Sequence, residues 1–263
     1  MEKYIQLKKF RSLMSLSVCK EDIERIWGRQ YLKKIIDHHH QRICKKRESL
    51  IVKKKIQIAQ ENVSSLLALK LVKFIGVTGS VAAGFAKEED DIDVYVVVRN
   101  KSMWLYRGII AIRNLFHNKI RAKRHKEVRD KLCLNFVSEE RGLKLEDDIF
   151  NFHELMYIVP IYNQRYLNFI YLENKWLVHK YNIRKELLET EIEEEKSVNY
   201  FFQLLNLFFY YFQVIFMLVS RHNPELKRLK ENNKRGKIEF FPIGFKSERI
   251  GEYSKKFPEI EKF

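Results

Sequence analysis

The sequence predicts an α+β fold, with a small mixed β-sheet flanked by helices and then a mainly helical C-terminal domain. Short apolar runs at 71–77, 92–98 and 132–137, the second of them rich in β-branched residues, indicate strands, and helical patterns separate them. From about residue 146 to residue 220 the pattern is helical, with a break at Pro160. The predicted parts are an N-terminal helical segment (1–66), a core containing the sheet (67–145) and the helical C-terminal domain (146–263).

The elements follow from local patterns. Residues 20–66 contain no proline and place apolar residues three and four apart, which predicts helix. Residues 79–91 begin with Gly-Ser, which favours a turn, and continue as a short helical piece. A helix is predicted over 101–120, and the basic run 121–131 is interpreted as a solvated surface. The tail, 237–257, predicts an extended piece and a terminal helix.

Composition and charge restrict the function only broadly. The chain has 263 residues, of which 46% are apolar and 32% charged, a balance typical of globular proteins. Its net charge of +16 favours acidic partners such as nucleotides or nucleic acid. The three cysteines, Cys19, Cys44 and Cys133, are odd in number and lack metal-ligand spacing. We therefore expect a reducing, cytoplasmic location, and the first twenty residues lack the apolar core of a signal peptide.

Residues 200–220 raise the question of a membrane. The segment is almost uninterruptedly apolar and long enough to span a bilayer. However, Gln203, Asn206 and Gln213 fall close to one face of a helix. The simpler interpretation is a buried core helix with a polar stripe, so a membrane partner is not expected. Membrane attachment through this segment and the basic surface is the alternative.

The most informative stretch is "VTGSVAAGFAKEEDDIDVYVVV", residues 77–98. Side chains alternate across a strand, so Asp91 and Asp93 are predicted to share a face, where two carboxylates repel unless a cation lies between them. Mg²⁺ is the usual cation beside phosphates. Gly79 and Ser80 fall where a strand ends and a helix begins, a place where backbone N–H groups can hold phosphate oxygens. The alternative is an ordinary turn with surface acids.

This stretch resembles the signature of the DNA polymerase beta-like nucleotidyltransferase superfamily, in which Gly-Ser is followed after about ten residues by Asp-apolar-Asp. Through "VTGSVAAG", "DDIDV", "MWLYR", "LCLNF" and "HELMYIVPIY" the chain is also similar to uncharacterised prokaryotic nucleotidyltransferase-domain proteins, over roughly residues 50–250. The resemblance implies a nucleotidyltransferase core at 67–145, two Mg²⁺ ions and an NTP donor. It also implies transfer of a nucleoside monophosphate to a hydroxyl with release of pyrophosphate.

The resemblance assigns roles to particular residues. Gly79 and Ser80 would bind the triphosphate, and Asp91 and Asp93 would bind the metal ions. The superfamily usually has a third carboxylate on a later strand, and the matching position here is predicted to be Asn135. An amide oxygen can ligate Mg²⁺ but carries no charge and cannot act as a base. The alternatives for this position, Asp130 and Glu139, lie just outside the strand.

Other residues carry weaker expectations. Arg107 is predicted to contact a phosphate of the nucleotide, although an exposed or ion-paired arginine fits the sequence equally well. Trp104 is expected to pack in the core, and Lys87 to be solvated. His153 and Glu154 either belong to the cleft or form a pair on a helix surface, and the surface pair is the simpler interpretation.

Two functions fit the sequence. The first is an Mg²⁺-dependent nucleotidyltransferase whose acceptor is a small molecule, an RNA or a protein. The second is a catalytically weakened module that binds a nucleotide or an acidic partner as a scaffold or regulator. Asn135 in place of a carboxylate favours the second, and the sequence does not fix an oligomeric state.

Overall fold

The computed structural model describes residues 2–14, 16–39, 49–121, 127–189, 197–219, 226–239 and 244–258. Within these ranges helices surround a mixed five-stranded sheet, and the C-terminal part is mainly helical. The predicted α+β fold class is therefore confirmed.

The strands are β1 (Val72–Val77), β2 (Ile92–Val98), β3 (Leu132–Glu139), β4 (Val159–Tyr162) and β5 (Lys237–Glu239). The helices are α1 (Glu2–Leu13), α2 (Lys20–Trp27), α3 (Arg29–His39), α4 (Leu50–Glu61), α5 (Val63–Leu66), α6 (Gly79–Ala83), α7 (Met103–His117), α8 (Ile149–Tyr157), α9 (Tyr166–Glu173), α10 (Trp176–Tyr181), α11 (Tyr200–Val219), α12 (Leu226–Arg235) and α13 (Phe245–Lys256).

Strand β2 is the centre of the sheet, whose order is β4-β1-β2-β3-β5. It pairs antiparallel with β1 and parallel with β3, while β4 and β5 pair antiparallel at the two edges. Every residue of β2 except Asp93 is buried. A strand covered on both faces needs a continuous apolar run, which "IDVYVVV" supplies after its single carboxylate. The parallel pairing of β2 with β3 requires a crossover connection, and α7 provides it.

Strand β4 corrects the prediction that Pro160 only interrupts a helical region. Pro160 lies within β4 and pairs with Gly76 of β1. Proline cannot donate a ladder hydrogen bond, but an edge strand has one side without a neighbour and tolerates it. Both β4 and β5 come from beyond residue 145, so the sheet contains strands from both predicted domains. The division at residue 145 itself stays a prediction.

The predicted helix over residues 20–66 is divided into shorter helices in the structure. Helix α2 ends at Gly28, whose φ of 90° is a conformation that favours glycine. Helix α4 ends at Asn62, whose side-chain amide donates to the carbonyl of Ile58 at 2.8 Å. Residues 40–48 lie outside the described ranges. Helical periodicity alone could not locate these ends, because the apolar spacing continues on both sides of them.

Helix α11 corrects the prediction of a buried core helix, because none of its twenty residues is buried. Within the described ranges it is the one helix whose length and apolar composition would allow it to cross a membrane. Its exposed large apolar residues are Tyr200, Phe201, Leu204, Leu207, Phe208, Tyr211, Phe212, Ile215, Phe216, Leu218 and Val219. The polar stripe seen in the sequence is real, but it serves to attach this helix to α7 instead of lining a core.

The glutamines of the stripe bind α7 directly. Gln203 Oε1 accepts from Lys101 Nζ at 3.3 Å, just before α7 begins. Gln213 Oε1 accepts from Arg107 Nε at 3.1 Å, and Gln213 Nε2 donates to the carbonyl of Trp104 at 3.0 Å. Amide side chains are suited to this role because each offers both a donor and an acceptor.

The start of α7 is capped from two sides. A helix leaves its first N–H groups without intrahelical partners. Here those of residues 102–105 are all satisfied: Glu139 Oε1 accepts from the first two at 3.1 and 3.2 Å, and Asn206 Oδ1 accepts from the next two at 2.8 and 3.0 Å. Gly108 lets α11 approach closely, since a Cβ there would lie 2.3 Å from the ring of Phe209. Helix α7 is thus fixed by β3 at its start and by α11 along its length.

We expect Asn206→Leu to lower the free energy of unfolding by about 1–3 kcal/mol, because two N–H groups in a packed interface lose their acceptor. Asn206→Asp is the matched control: its carboxylate can accept both bonds and carries a charge that suits a helix N-terminus. Urea unfolding of both variants measures the effect. Equal stability of the leucine and aspartate variants would contradict the capping role.

Candidate active site

The loop between β1 and α6 brings Gly79 against Asp93. Gly79 has a φ of +63°, and a Cβ built on it would lie 2.3 Å from Asp93 Oδ2. Glycine is therefore needed at this position both for the backbone conformation and for the close approach. The Gly79 N–H points to Glu154 Oε2 at 3.4 Å, and Ser80 Oγ is 3.3 Å from Asp90 Oδ2. Both donors that the sequence assigns to a triphosphate are bound to carboxylates in this structure.

Asp91, Asp93 and Cys133 form a cluster at the beginning of β2. One ligand atom from each lies within 4.8 Å of the others, a spacing that could hold a metal ion. Asp91 immediately precedes β2, Asp93 lies in it, and Cys133 is the residue of β3 paired with Asp93. We call these three residues the acidic cluster.

The residue beside the aspartates on β3 is thus a cysteine. The pairing of β2 with β3 shifts register between Asp93 and Tyr95, which face Cys133 and Phe136 respectively. The extra residue on β3 breaks the simple alternation from which a side-chain position is counted. The Asn135 side chain lies outside the described residues, so its predicted role as a ligand stays a prediction. The resemblance pointed to Asn135, whereas the register places Cys133 opposite Asp93.

The two alternative carboxylates are engaged elsewhere. Asp130 Oδ1 accepts from Lys55 Nζ at 2.7 Å, and the Lys55 side chain is only 1% exposed. Glu139 caps α7 and also accepts from Arg141 Nε at 2.7 Å. Neither residue belongs to the acidic cluster.

Arg121 is a site residue that the sequence did not single out. It lies just after Ile120, which forms an isolated bridge with Leu132 at the start of β3. Its Nη1 is 2.6 Å from Asp91 Oδ2, with the guanidinium side chain 46% exposed. The basic run 121–131 was interpreted as a solvated surface. Arg121 departs from that interpretation, because the bridge between Ile120 and Leu132 places it beside the cluster. The apolar Ile120 before Arg121, which bridges the start of β3, is the feature of the sequence that could have located it.

Glu154 brings a further carboxylate to the site and corrects the interpretation of a surface pair. Helix α8 buries His153, whose Nδ1 lies 3.7 Å from Glu154 Oε1. The other Glu154 oxygen is the acceptor for the Gly79 N–H, as described above. The charge of Glu154 also acts on Asp93. Glu154 therefore faces the acidic cluster from the side opposite β3.

Arg107 is not near the acidic cluster. It lies on the second turn of α7, bound to Gln213 of α11, with its guanidinium 5.9 Å from the ring of Trp104. Burial lowers the pKa of Arg107 to about 10. Helix α7 follows the far end of β2, and the seven residues of that strand extend about 20 Å from Asp93's end. The prediction that Arg107 contacts the nucleotide is therefore not supported by its position.

Trp104 and Lys87 behave broadly as expected. Trp104 is buried, and its Nε1 donates to Asn233 Oδ1 at 2.7 Å. Lys87 is exposed, but its backbone N–H donates to Asp90 Oδ2 at 2.9 Å. This bond helps to shape the acidic loop just before the cluster.

Burial and the neighbouring carboxylates raise the pKa of Asp93 to about 7. Burial is the largest cause, followed by repulsion from Asp91 and from Glu154, while Arg121 opposes the shift. Burial and both aspartates also raise the pKa of the Cys133 thiol. Replacing the proton of Asp93 by a bound cation relieves the repulsion between the carboxylates and therefore lowers the free energy of the site. The carboxylate oxygens fit Mg²⁺, whereas sulfur is a ligand that softer metals prefer.

The pKa of Asp93 makes a prediction about stability in the absence of metal. The pKa of Asp93 is raised from 3.8 to about 7 in the folded state, so the folded protein binds the proton more tightly than the unfolded chain does. The resulting stabilisation is complete below pH 4 and is lost as the pH rises through 7. Asp93→Asn cannot ionise, so we expect it to be more stable than the unsubstituted protein at pH 8, by on the order of 2 kcal/mol. The difference should shrink towards pH 5.

Chemical unfolding in the presence of a chelator at the two pH values measures this effect. Asp147→Asn is the matched control, because Asp147 is 44% exposed and pairs with Lys180 at 3.0 Å, outside the cluster. If Asp93→Asn and Asp147→Asn show the same pH dependence, the electrostatic account of Asp93 is wrong.

Comparisons with known proteins add no family to this description. No protein-family model, no curated protein and no solved structure matches the chain. The fold is therefore described by its architecture, a mixed sheet with helices and a mainly helical C-terminal part. The site is described by its chemistry: a cluster of two carboxylates and a thiol that could hold a metal ion.

Proposed function

We propose that the protein is a metal-dependent nucleotidyltransferase, which moves a nucleoside monophosphate from an NTP to a hydroxyl of a small molecule, an RNA or a protein. The observation that carries the proposal is the approach of Gly79 to Asp93, with Asp91 beside it. Gly79 lies against Asp93, and the Ser80 hydroxyl binds Asp90, the residue before Asp91, so both donors lie close to the start of one buried strand. Phosphate oxygens need the donors, and the cations that accompany them need the carboxylates.

Asp91 and Asp93 would hold Mg²⁺, two ions being expected from the resemblance. When bound, Mg²⁺ neutralises charge on the triphosphate and stabilises the charge that develops during transfer. In the reaction the acceptor oxygen forms a bond to the α-phosphorus, and the bond from that phosphorus to pyrophosphate breaks. The Gly79 N–H and the Ser80 hydroxyl would turn from their carboxylate partners to the phosphate oxygens.

Two charged residues complete the proposed site. Arg121 pairs with Asp91 and, at nearly half exposure, is free to swing its cation towards a phosphate. The acceptor hydroxyl must lose a proton, and Glu154 is a carboxylate facing the cluster that could take it. Cys133 is less suited, because its thiol holds its proton more strongly than usual.

The second candidate function, a weakened module that binds a nucleotide without transfer, is favoured by Cys133. A neutral thiol adds no negative charge to the metal site and is a poor ligand for Mg²⁺. On this reading the chain would bind an NTP or an acidic partner and act as a scaffold or regulator. The two functions share the binding step and differ in the release of pyrophosphate.

The binding step predicts a thermal shift. We expect an NTP with Mg²⁺ to raise the melting temperature, because a ligand that binds only the folded state stabilises it. The shift should require both components and be lost in Asp91→Asn, while Asp147→Asn keeps it. A shift that survives Asp91→Asn, or none with any of the four NTPs, would contradict nucleotide binding at the cluster.

The catalytic step predicts the effect of changing the third ligand. We expect Cys133→Asp to strengthen Mg²⁺ binding by about tenfold, since a hard, charged oxygen replaces a thiol. Pyrophosphate release should rise with it if transfer is limited by metal binding, and Asp93→Ala should abolish release. Cys133→Ser, which removes sulfur without adding charge, is the matched control. Nucleotide binding without pyrophosphate from any of these variants would support the module, and residual release from Asp93→Ala would contradict the assigned site.

A further inference from the structure

We propose that the exposed side of α11 is a docking surface for an anionic lipid bilayer. The α11 face, as we call it, consists of Tyr200, Phe201, Leu204, Leu207, Phe208, Tyr211, Phe212, Ile215, Phe216, Leu218 and Val219. These residues are between 48% and 79% exposed. A contiguous apolar surface of this size is unusual on a monomeric protein and marks a site of interaction.

The α11 face covers about half of the helix. At 100° per residue its members fall on one side of the helical axis, while Gln203, Asn206 and Gln213 fall on the other. Those three amides hold α11 to α7. A helix with a protein domain bonded along one side can lie in the membrane interface with its other side in the acyl region. The geometry therefore favours a helix lying on the bilayer over one that crosses it.

Helix α7 extends the apolar surface. The hydrogen-bonded pairs at the start of α7 are separated in sequence by 101 to 109 residues, so the two helices set out in the same direction. Continued in that direction, the last turns of α7 fall on the side of the last turns of α11. Ile112, Leu115 and Phe116, on these turns of α7, are 51%, 63% and 81% exposed.

The charges around this surface select an anionic partner. Neither helix contains an aspartate or a glutamate. Arg113 and Lys119 are exposed near the end of α7 and place positive charge beside this part of the apolar surface. Basic residues beside an inserted apolar helix add roughly 1 kcal/mol each to binding of an anionic leaflet.

A second copy of the chain is a poorer occupant. Each copy carries a net charge of +16, so two copies repel one another when they approach. Like charges across an interface cost free energy. Nucleic acid is also disfavoured, because the surface presents apolar side chains where phosphates need donors.

Co-sedimentation of the full chain with vesicles tests the proposal without any nucleotide. One set of vesicles contains phosphatidylcholine alone, and the other contains phosphatidylcholine mixed with phosphatidylglycerol. We expect binding to the anionic vesicles to be at least about tenfold tighter and to weaken with added salt. The double change Phe208→Ser and Phe212→Ser should weaken binding by about tenfold or more, because two inserted rings are lost.

The matched control is Leu50→Ser, which removes an apolar side chain that is 83% exposed on α4. It should leave vesicle binding unchanged, and all variants should keep the melting temperature because the altered side chains are exposed. Binding to neither set, equal binding to both, or equal loss in the Leu50 variant would overturn the proposal. A dimer in light scattering that the phenylalanine changes dissociate would assign the α11 face to a second copy instead. Because no NTP is present, these outcomes are independent of nucleotidyl transfer.

Discussion

The repulsion between two carboxylates at the beginning of a buried strand is the constraint on which the rest of the site depends. Asp93 lies in the central strand of the sheet, so it cannot move into solvent without breaking its pairing with Cys133 of β3 and the hydrogen bond from the Thr78 N–H to its carbonyl at 2.9 Å. The surrounding structure reduces the cost in two ways. Arg121 provides a cation to Asp91, and Asp93 holds its proton to about pH 7. The sheet therefore stores an electrostatic cost that a bound divalent cation would relieve.

A buried lysine holds the acidic loop that leads to this strand. Lys55 of α4 donates to the carbonyls of Glu88 and Asp90 at 3.1 and 2.6 Å, as well as to the Asp130 carboxylate. The three N–H donors of the ammonium group therefore each have an acceptor, which offsets the free-energy cost of burying its charge. These bonds hold the backbone of the acidic loop, so the Asp90 carboxylate is positioned where the Ser80 hydroxyl binds it. A helix far away in sequence thus fixes the distance between the Gly-Ser turn and the acidic cluster.

Local patterns in the sequence predicted what depends on local chemistry. The central strand, its two aspartates and the Gly-Ser turn follow from β-branched runs, side-chain alternation and the conformational freedom of glycine. Cys133 could not be predicted, because an irregularity in strand pairing decides which residue of β3 faces Asp93. The polar stripe of α11 was found, but a stripe indicates only that a partner exists. Whether the apolar side of such a helix lies in a core or on the surface depends on which other elements pack against it, and the periodicity of one helix carries no information about them.

Helix α7 joins the apolar surface to the acidic cluster through a rigid turn. Asn114 near its end donates to the carbonyl of Ile120 at 2.7 Å and accepts from the N–H of Ile120 at 2.8 Å. The next residue, Arg121, pairs with Asp91. Four residues separate Phe116 from Arg121, and the two hydrogen bonds of the Asn114 side chain restrict the conformations of this link. If α11 lies on a bilayer, this link therefore holds the cluster at a fixed distance from the docked surface. Docking and transfer would then be coupled by geometry alone, with no conformational change required of the sheet.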